Sequence, residues 1–381
     1  MIIGISALGA LSQDTGGRTY MTNLARTLQL ADIEHRFVFF MSKGESHILN
    51  IQRSNFSIVE IDNSTDSYRR IFAEHCFLPF LIRKHQIDIM YFPGNFSSFY
   101  CPVPYVLAIR SMLPFNPKLK SAVNWSRNFY RKFLYPRSAK RARHIITPSL
   151  HTKNEIVEYL NVHPDKVSVI PHGIDNEVFG AKKDPDSAFL IFEKFGVKLP
   201  FILYVSALWE YKNQDKLIQA FSKLVRNKKI PHTLILVGRG MNSYESYGAK
   251  LKLMVDSLDL SKQIIFIDFL PHDSLKHFYQ HSDVFVFPSE MESFGNSIFE
   301  AMAAETPVIC SNTHGFPTML GNAALLVNPN DIDALSDAIF LVLKNQEIKN
   351  NLVSHGKSLA NSLSWPSCIE KTLSVILDNP I

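Results

Sequence analysis

The chain has 381 residues, 46% of them hydrophobic and 20% charged, which is enough to bury two cores at about 100–200 residues per domain. The formal net charge of +5 is modest and does not by itself indicate a nucleic-acid partner. No apolar run reaches the roughly 18–20 residues of a membrane-spanning helix, and the 4 cysteines form no CxxC pair or metal-ligand cluster. We therefore expect a soluble, cytoplasmic protein of two domains.

Short runs of apolar and β-branched residues recur from the first residues onward. The apolar start "MIIGISA" has no basic segment before it, so we expect a buried strand there and not a secretory signal. The other strand candidates of the first half are "HRFVFFMS", "FSIVEID", "IDIMYFPG", "VPYVLAIR", "RHIITPS" and "KVSVIPHG". Those of the second half are "FILYVSAL", "HTLILVG", "QIIFIDFL", "VFVFPS", "PVICSN" and "AALLVNP". Such runs are typical of strands buried on both faces of a parallel sheet.

Amphipathic helical patterns separate these runs, as in "TYMTNLARTLQL", "HTKNEIVEYL", "QDKLIQAFSKLVRN" and "DIDALSDAIFLVLKN". The alternation predicts an α/β fold with doubly wound parallel sheets. Thirteen strands are too many for one ordinary sheet, and the polar stretch 174–186 divides them seven and six. We therefore place the linker there and predict domains at 1–175 and 176–363, followed by a final amphipathic helix in 364–381.

The loop after the first strand contains Gly16 and Gly17 just before a predicted helix. Backbone N–H groups at a helix N-terminus bind anions, although a flexible loop would use the same glycines. No GxGxxG motif follows this strand, and Ser243 stands where "GRGMNS" would need its third glycine. A nicotinamide-dependent reductase is therefore disfavoured.

A lysine follows the first strand of the second half, in "SALWEYKNQD". Lys212 stands at the start of a predicted helix, where the helix dipole disfavours a cation. A bound anion would explain an ammonium at that position. A solvated surface lysine is the alternative.

The stretch "PSEMESFGNSIFEAMAAETPVI" runs from a buried strand through a loop into a short helix. Glu292 lies in the loop, and Glu300 lies about one turn inside the helix. Gly295 lets a ligand approach the backbone, and the N–H groups of Asn296 and Ser297 can bind a phosphate. Carboxylates on either side of a diphosphate suit the hydroxyl groups of a nucleotide sugar.

These residues resemble the E-x7-E signature of the retaining glycosyltransferases of family 4 (glycosyltransferase group 1), which have the GT-B fold. The resemblance extends over nearly the whole chain, through "MLPFNP", "IITPS", "VIPHGID", "YVSALWEYKN" and the final helix. It implies two Rossmann-like domains facing a cleft. The N-terminal domain would bind the acceptor, the C-terminal domain the donor, and the last helix would cross back to the N-terminal domain.

The resemblance also implies roles for particular residues. Glu292 would contact the hydroxyls of the donor sugar, Glu300 the ribose, and Lys212 the diphosphate. Further donor contacts would come from Gly16, Gly17, Arg239, Leu270, Gly295, Asn296 and Ser297. His172 and Gly173 would line the cleft near the hinge, although His172 could equally be a hinge residue satisfied by the backbone.

The sequence departs from the family pattern at several positions. Ala207 stands where many relatives have a diphosphate-binding arginine, so Arg239 or Arg110 would have to substitute for it. Glu305 replaces a common glycine, and Thr318 replaces a common acid. "AIRSMLPF" offers Arg110 and Ser111 where a histidine is often found, which leaves donor and acceptor open.

By the resemblance, the leaving diphosphate helps to deprotonate the acceptor hydroxyl, and neither a metal nor a cofactor is needed. The predicted reaction moves a hexose from a nucleotide diphosphate sugar to a glycan or lipid-linked acceptor in surface polysaccharide or lipopolysaccharide synthesis. A GT-B nucleotide-sugar epimerase and a degenerate transferase that acts as a scaffold remain alternatives.

One basic region has aromatic residues among its cations. Residues 89–154 contain eleven Lys and Arg but no Asp or Glu, and Trp125, Phe129, Tyr130 and Phe133 fall within its centre, 118–143. Aromatics among cations on a helix favour an anionic membrane surface at the inner face of the cell membrane. A solvated basic helix face is the alternative, and nothing else indicates nucleic acid.

Overall fold

The computed structural model describes residues 1–8, 16–62, 71–116, 125–240 and 245–377. The chain divides into two compact units. The N-terminal unit comprises residues 1–173 together with 365–381, and the C-terminal unit comprises residues 174–364. Within the described residues, none of the helices is long and apolar enough to cross a membrane.

A seven-stranded parallel sheet forms the centre of the N-terminal unit, with the order β3-β2-β1-β4-β5-β6-β7. Its strands are β1 Ile2–Ser6, β2 Arg36–Ser42, β3 Phe56–Ile61, β4 Ile89–Phe92, β5 Tyr105–Ala108, β6 His144–Thr147 and β7 Val167–Val169. Its helices are α1 Gly16–Leu30, α2 Leu78–Lys84, α3 Trp125–Arg141, α4 Leu150–Leu160 and the returning α14 Trp365–Ile376.

Apolar residues cover both faces of this sheet because neighbouring residues of a strand point to opposite faces. In β2, Phe37 and Phe39 pack into the cluster that contains α1 and α14. Val38 and Phe40 pack into the other cluster, with residues of α2, α3 and α4. The continuously apolar strands of the sequence thus follow from burial on both faces.

The C-terminal unit contains a six-stranded parallel sheet with the order β10-β9-β8-β11-β12-β13. Its strands are β8 Phe201–Val205, β9 Thr233–Val237, β10 Ile264–Ile267, β11 Val284–Phe287, β12 Val308–Ser311 and β13 Leu325–Val327. Its helices are α5 Asn176–Phe179, α6 Pro185–Phe195, α7 Gln214–Lys228, α8 Glu245–Ser257, α9 His272–His281, α10 Asn296–Ala303, α11 Phe316–Leu320, α12 Ile332–Lys344 and α13 Gln346–Asn361.

The prediction of doubly wound parallel sheets is confirmed, with thirteen strands in sheets of seven and six. Two details differ from the expectations. Gly16 and Gly17 do not precede α1 but are its first residues. The two units divide between residues 173 and 174, and the polar stretch 174–186, where the linker was expected, contains α5 and the start of α6. There, Asp184 caps the helix by accepting a hydrogen bond of 3.1 Å from the N–H of Ser187.

Candidate active site

The candidate site of the C-terminal unit lies at the carboxyl ends of β8 and β11, the position where open α/β sheets bind ligands. Two hydrogen bonds tie the loops after these strands together. The N–H of Glu290 donates to the carbonyl of Tyr211 at 2.8 Å, and Asn213 Nδ2 donates to the carbonyl of Pro288 at 2.9 Å. Asn213 can do so from a left-handed conformation with φ of 57°. These bonds fix how the two loops are placed relative to each other.

Lys212 and Glu292 meet across these loops. The Lys212 ammonium donates to Glu292 Oε1, and the exposed fractions of the two side chains are only 11% and 15%. Lys212 does not open a helix as expected. It ends the 3₁₀ turn Glu210–Lys212, and α7 begins at Gln214. The structure therefore brings the two predicted catalytic residues together as a partly buried ion pair.

The loop after β11 leads into α10 through Gly295, which has a φ of 85°. A Cβ atom at this position would lie 3.1 Å from both Ile298 and Phe316, so backbone conformation and space both favour glycine. Gly295 has no side chain to cap the helix. Asn296 and Ser297 begin α10, and the N-terminus of a helix is a place where backbone N–H groups can bind an anion.

Glu300 lies in the second turn of α10, and its Oε2 accepts a hydrogen bond of 2.9 Å from the hydroxyl of Tyr279. Burial raises the pKa of the Glu300 carboxyl, while His272 and the Tyr279 hydroxyl oppose that rise. Burial also raises the pKa of Tyr279 well above its usual value, so Tyr279 stays a neutral donor. The sequence did not point to Tyr279, which lies on another helix.

A second ion pair, to which the sequence did not point, lies beside the first. Lys216, in the first turn of α7, lies 3.1 Å from Glu290 Oε1. The pKa of Glu290 is lowered by Lys216, against the opposing effect of burial. The glutamates of "SEMESFG" thus have separate lysine partners, and both charges of the loop are neutralised locally.

Arg239 follows β9, and its carbonyl accepts a hydrogen bond of 3.1 Å from the N–H of Leu208. Arg239 is therefore adjacent to Ala207, and its side chain is exposed. Gly238 makes this possible, because a Cβ there would lie 1.9 Å from the carbonyl oxygen of Ser206. Leu270, which the resemblance assigned to donor binding, is only 4% exposed and packs in the core of the unit.

The candidate acceptor residues of the N-terminal unit follow β5 at the carboxyl edge of its own sheet. The N–H groups of Arg110 and Ser111 both donate to Oδ1 of Asn95, at 2.7 and 3.1 Å. The Arg110 guanidinium carbon lies 4.5 Å from the ring centroid of Tyr20 on α1. Gly16 and Gly17 begin the same helix.

His172 and Gly173 lie where the chain leaves the N-terminal unit. The His172 ring stacks on Trp365 at 6.2 Å and lies 5.5 Å from Tyr20. Burial raises the pKa of the Cys368 thiol to about 11, and the backbone of Gly173 opposes that rise. The returning helix α14 thus packs directly beside these residues.

The predicted membrane stretch 118–143 lies partly outside the described residues, since 117–124 are not described. Its described part forms α3, on which Phe129 is 65% and Phe133 54% exposed. Arg137 lies 3.9 Å from the centroid of the Phe99 ring, which stacks on Phe133 at 6.2 Å.

Comparisons with known proteins agree with this architecture. The family model described as "Glycosyl transferases group 1" matches residues 190–359, and that described as "Glycosyltransferase Family 4" matches residues 15–178. O-antigen chain mannosyltransferase RfbU of Salmonella typhimurium is 34% identical over 214 residues, which are 55% of this chain and 54% of that protein. O-antigen chain mannosyltransferase B of Escherichia coli is 27% identical over 239 residues, 62% of this chain and 61% of that protein.

The chain thus spans between half and two thirds of the length of these curated relatives. Among solved structures, Anabaena Alr3699/HepE in complex with UDP and glucose has a TM-score of 0.79 at 17% identity. That match covers 99% of this chain and 100% of the other. It shows a shared fold.

Proposed function

Because the chain belongs to the group 1 glycosyltransferases of family 4 and has their GT-B fold, we propose that it transfers a hexose from a nucleoside diphosphate sugar to a hydroxyl group of a glycan or lipid-linked glycan. The transfer retains the anomeric configuration and serves surface polysaccharide or lipopolysaccharide synthesis. Two relatives are named O-antigen chain mannosyltransferases, which supports this acceptor class and makes mannose the first donor sugar to test.

The ion pair of Lys212 and Glu292 beside the start of α10 carries this proposal. An ammonium has three N–H donors, and Glu292 occupies one of them. The other donors, together with the N-terminus of α10, can stabilise the charge that grows on the departing diphosphate. Lys212 in turn holds the Glu292 carboxylate in one orientation, in which its second oxygen can accept a hydrogen bond from a sugar hydroxyl.

Glu300 binds the nucleotide end of the donor, at the ribose. A carboxylate accepts charge-assisted hydrogen bonds from the two ribose hydroxyls, and Tyr279 fixes one of its oxygens. Arg239 takes the place of the arginine missing at Ala207, because the two residues are adjacent and the Arg239 side chain is exposed. The leaving diphosphate accepts the proton of the acceptor hydroxyl, so the proposed reaction uses no side-chain base and no metal.

The test is a screen of nucleotide sugars, led by nucleoside diphosphate mannose and UDP-glucose, with and without EDTA. We expect slow hydrolysis of one donor, undiminished by EDTA, and faster transfer when a lipid-linked glycan is added. Proton NMR of the product reports its anomeric configuration. An inverted product would contradict retention, and an altered free sugar with no transfer would favour an epimerase.

We further propose that the N-terminal unit docks on an anionic membrane at the cytoplasmic side. A set of exposed side chains, here named the aromatic face, consists of Phe72, Phe77, Phe80, Phe99, Tyr100, Phe129 and Phe133, which are 43–65% exposed. Arg83 lies 5.6 Å from the Tyr100 ring centroid, and Arg137 lies over Phe99. Exposed aromatic rings among cations match the interface of an anionic bilayer.

Contacts join the segments that make up this face. His75 accepts a hydrogen bond of 2.8 Å from the N–H of Phe99, and it also hydrogen-bonds the hydroxyl of Tyr130 on α3. Each cation near an anionic surface contributes roughly 1 kcal/mol, so a few of them suffice for reversible attachment.

Vesicle sedimentation tests the docking. We expect binding to phosphatidylglycerol vesicles but not to phosphatidylcholine vesicles, with release by 1 M salt. Replacing Arg131, Lys132, Lys140 and Arg141 with Ser should weaken vesicle binding and leave nucleotide affinity unchanged. Phe129→Ser with Phe133→Ser should do the same, whereas Phe189→Ser, on an exposed position of α6 in the other unit, is the matched control. Unchanged sedimentation of both variants would contradict membrane docking.

A further inference from the structure

The loop that carries Glu292 is held by its neighbours on both sides. It comprises residues 288–292 and follows β11, which lies between β8 and β12 in the six-stranded sheet. On the β8 side, Asn213 donates to the carbonyl of Pro288 at 2.9 Å. The next two carbonyls of the loop accept hydrogen bonds from residues at the end of β12 and just after it.

Two hydroxyl groups make these bonds on the β12 side. Ser311 Oγ donates to the carbonyl of Ser289. The Thr313 hydroxyl lies 3.3 Å from the carbonyl oxygen of Glu290 and 3.2 Å from Ser311 Oγ, so these two acceptors share its single proton. Ser289 in turn donates from its own hydroxyl to the carbonyl of Met291 at 3.2 Å.

The carbonyls of residues 288–291 thus each accept a hydrogen bond from a side chain. Connecting loops more often leave such groups to water. Ser289 and Ser311 are fully buried, so their hydrogen bonds are shielded from solvent. Removing one of these donors leaves a buried carbonyl without its partner. The backbone is therefore restrained up to the residue before Glu292.

Glu290 adds a further restraint two positions before Glu292. Its N–H donates to the carbonyl of Tyr211 at 2.8 Å, and its carboxylate lies 3.1 Å from the ammonium of Lys216. That ammonium also donates to the side-chain oxygen of Asn330, in the loop after β13. Glu290 is therefore held through its N–H, its carbonyl and its side chain. This explains why the loop contains two glutamates, of which one anchors and the other is proposed to contact the donor.

We propose that Ser311 and Thr313 are positioning residues for Glu292. They fix the backbone that leads to Glu292, and so they hold its carboxylate beside Lys212. The proposal rests on the glycosyl transfer proposed above, in which Glu292 holds the donor sugar. A displacement of about 1 Å at a reacting group can lower a rate by about 100-fold, so a loosened loop should slow the transfer.

The test compares kcat with nucleotide affinity. The substrate is nucleoside diphosphate mannose or UDP-glucose, whichever the donor screen shows to be cleaved. We expect Ser311→Ala and Thr313→Val each to lower kcat by roughly tenfold or more. Affinity for the bare nucleoside diphosphate should stay within about twofold of the wild type, because that ligand has no sugar for Glu292 to hold. A wild-type kcat in either variant would overturn the role of that residue.

Two further variants separate positioning from folding. Thr313→Ser keeps the hydroxyl and should restore kcat. Thr233→Val is the matched control, because the Thr233 hydroxyl donates to the carbonyl of Lys198 at the same distance of 3.3 Å, but at the amino end of β9. This control should have the kcat of the wild type. An equal loss of kcat in Thr233→Val and Thr313→Val would indicate general destabilisation and would contradict the proposal.

A double-mutant cycle tests whether Ser311 acts through Glu292. In the Glu292→Ala background there is no carboxylate left to position. Adding Ser311→Ala should therefore lower kcat little further, by less than about twofold. A further loss as large as that in the wild-type background would show that Ser311 acts by another route and would overturn the proposal.

Hydrogen exchange reports the restraint of the loop without any substrate. The amide of Glu290, which donates to Tyr211, should exchange faster in Ser311→Ala and Thr313→Val than in the wild type, and unchanged in Thr233→Val. Unchanged exchange in the two loop variants would contradict the restraint, whether or not the protein is active. Faster exchange in a protein that cleaves no nucleotide sugar would contradict the proposed transfer and leave the restraint intact.

Discussion

The two sheets place charge at their carboxyl ends in opposite ways. At the six-stranded sheet, Lys212 pairs with Glu292 and Lys216 with Glu290, so the loops are neutral as pairs. At the seven-stranded sheet, Arg110 lies among neutral phenols and a neutral thiol. Under the proposed function, the first edge would bind the charged donor by sharing existing ion pairs, whereas the described residues around Arg110 leave its charge unbalanced. The carboxyl ends of the two parallel sheets therefore differ in their local balance of charge.

Removing the cation of the Lys212–Glu292 ion pair should have the largest effect on activity. Lys212→Ala removes the cation proposed to stabilise the leaving diphosphate and leaves Glu292 with an uncompensated charge. We expect kcat/KM to fall by about 10²–10³, as for other single groups that stabilise developing negative charge. Steady-state kinetics measure this change. Lys223→Ala, which removes an exposed pair with Asp333, is the control and should retain activity. A loss below tenfold for Lys212→Ala would remove it from the proposed mechanism.

Glu300→Gln should separate binding from stability at the same edge. Losing charge-assisted hydrogen bonds of roughly 1.5–3 kcal/mol should weaken UDP or GDP binding by about 10–150-fold. Burial raises the pKa of Glu300, so ionising it costs stability above its ordinary pKa, and the Gln variant should melt at a higher temperature. Calorimetry and thermal melting check both effects. A Gln variant that melts lower and binds normally would show a structural role only.

The raised pKa of Glu300 also predicts that donor affinity falls as the pH is lowered. Since the raised pKa of Glu300 favours its protonated form, donor affinity should begin to fall, on acidification, at a higher pH than for an ordinary glutamate. Titration of the nucleotide sugar, whose diphosphate is esterified at both ends and keeps a constant charge between pH 5 and 8, measures this dependence. The Glu300→Gln variant should lose it.

Glu292→Gln should affect nucleotide binding and turnover in opposite directions. Removing the carboxylate frees Lys212 from its partner, so affinity for the bare nucleoside diphosphate should rise a few-fold, while turnover falls because the sugar is no longer held. Comparing Kd for the diphosphate with kcat for the sugar donor tests this. Abolished diphosphate binding by Glu292→Gln would reverse the roles given to Glu292 and Glu300.

The smallest effect is expected at the far end of α10. Glu305 has a φ of 60°, and its only described ion pair is with Lys357 at 2.6 Å, with both side chains 52% exposed. Relief of left-handed backbone strain, about 1–2 kcal/mol, exceeds an exposed ion pair of about 0.2–1 kcal/mol. Glu305→Gly should therefore raise the melting temperature slightly and leave activity unchanged. Lys357→Ala measures the ion pair separately, and a lower melting temperature of Glu305→Gly would mean that the pair dominates.

The strands, several of the helices and the first candidate edge could be predicted from the sequence alone. Strands buried on both faces must be continuously apolar, so their number and order of occurrence could be predicted from local composition. The helix α10 and its glycine could be predicted in the same way, because the features of "ESFGNSIFEAMA" are only a few residues apart. The start of α6 was missed, although Asp184 and Pro185 are a recognisable helix start.

Which charges meet depends on the tertiary structure. Lys212 and Glu292 are 80 positions apart, and either could have been solvated as far as local spacing shows. Tyr20, Arg110, Thr147 and Cys368 come together because parallel strands end at one edge and α14 returns to pack on α1. Whether a cation is balanced depends on all groups that surround it in space, and chain order records only those beside it in sequence.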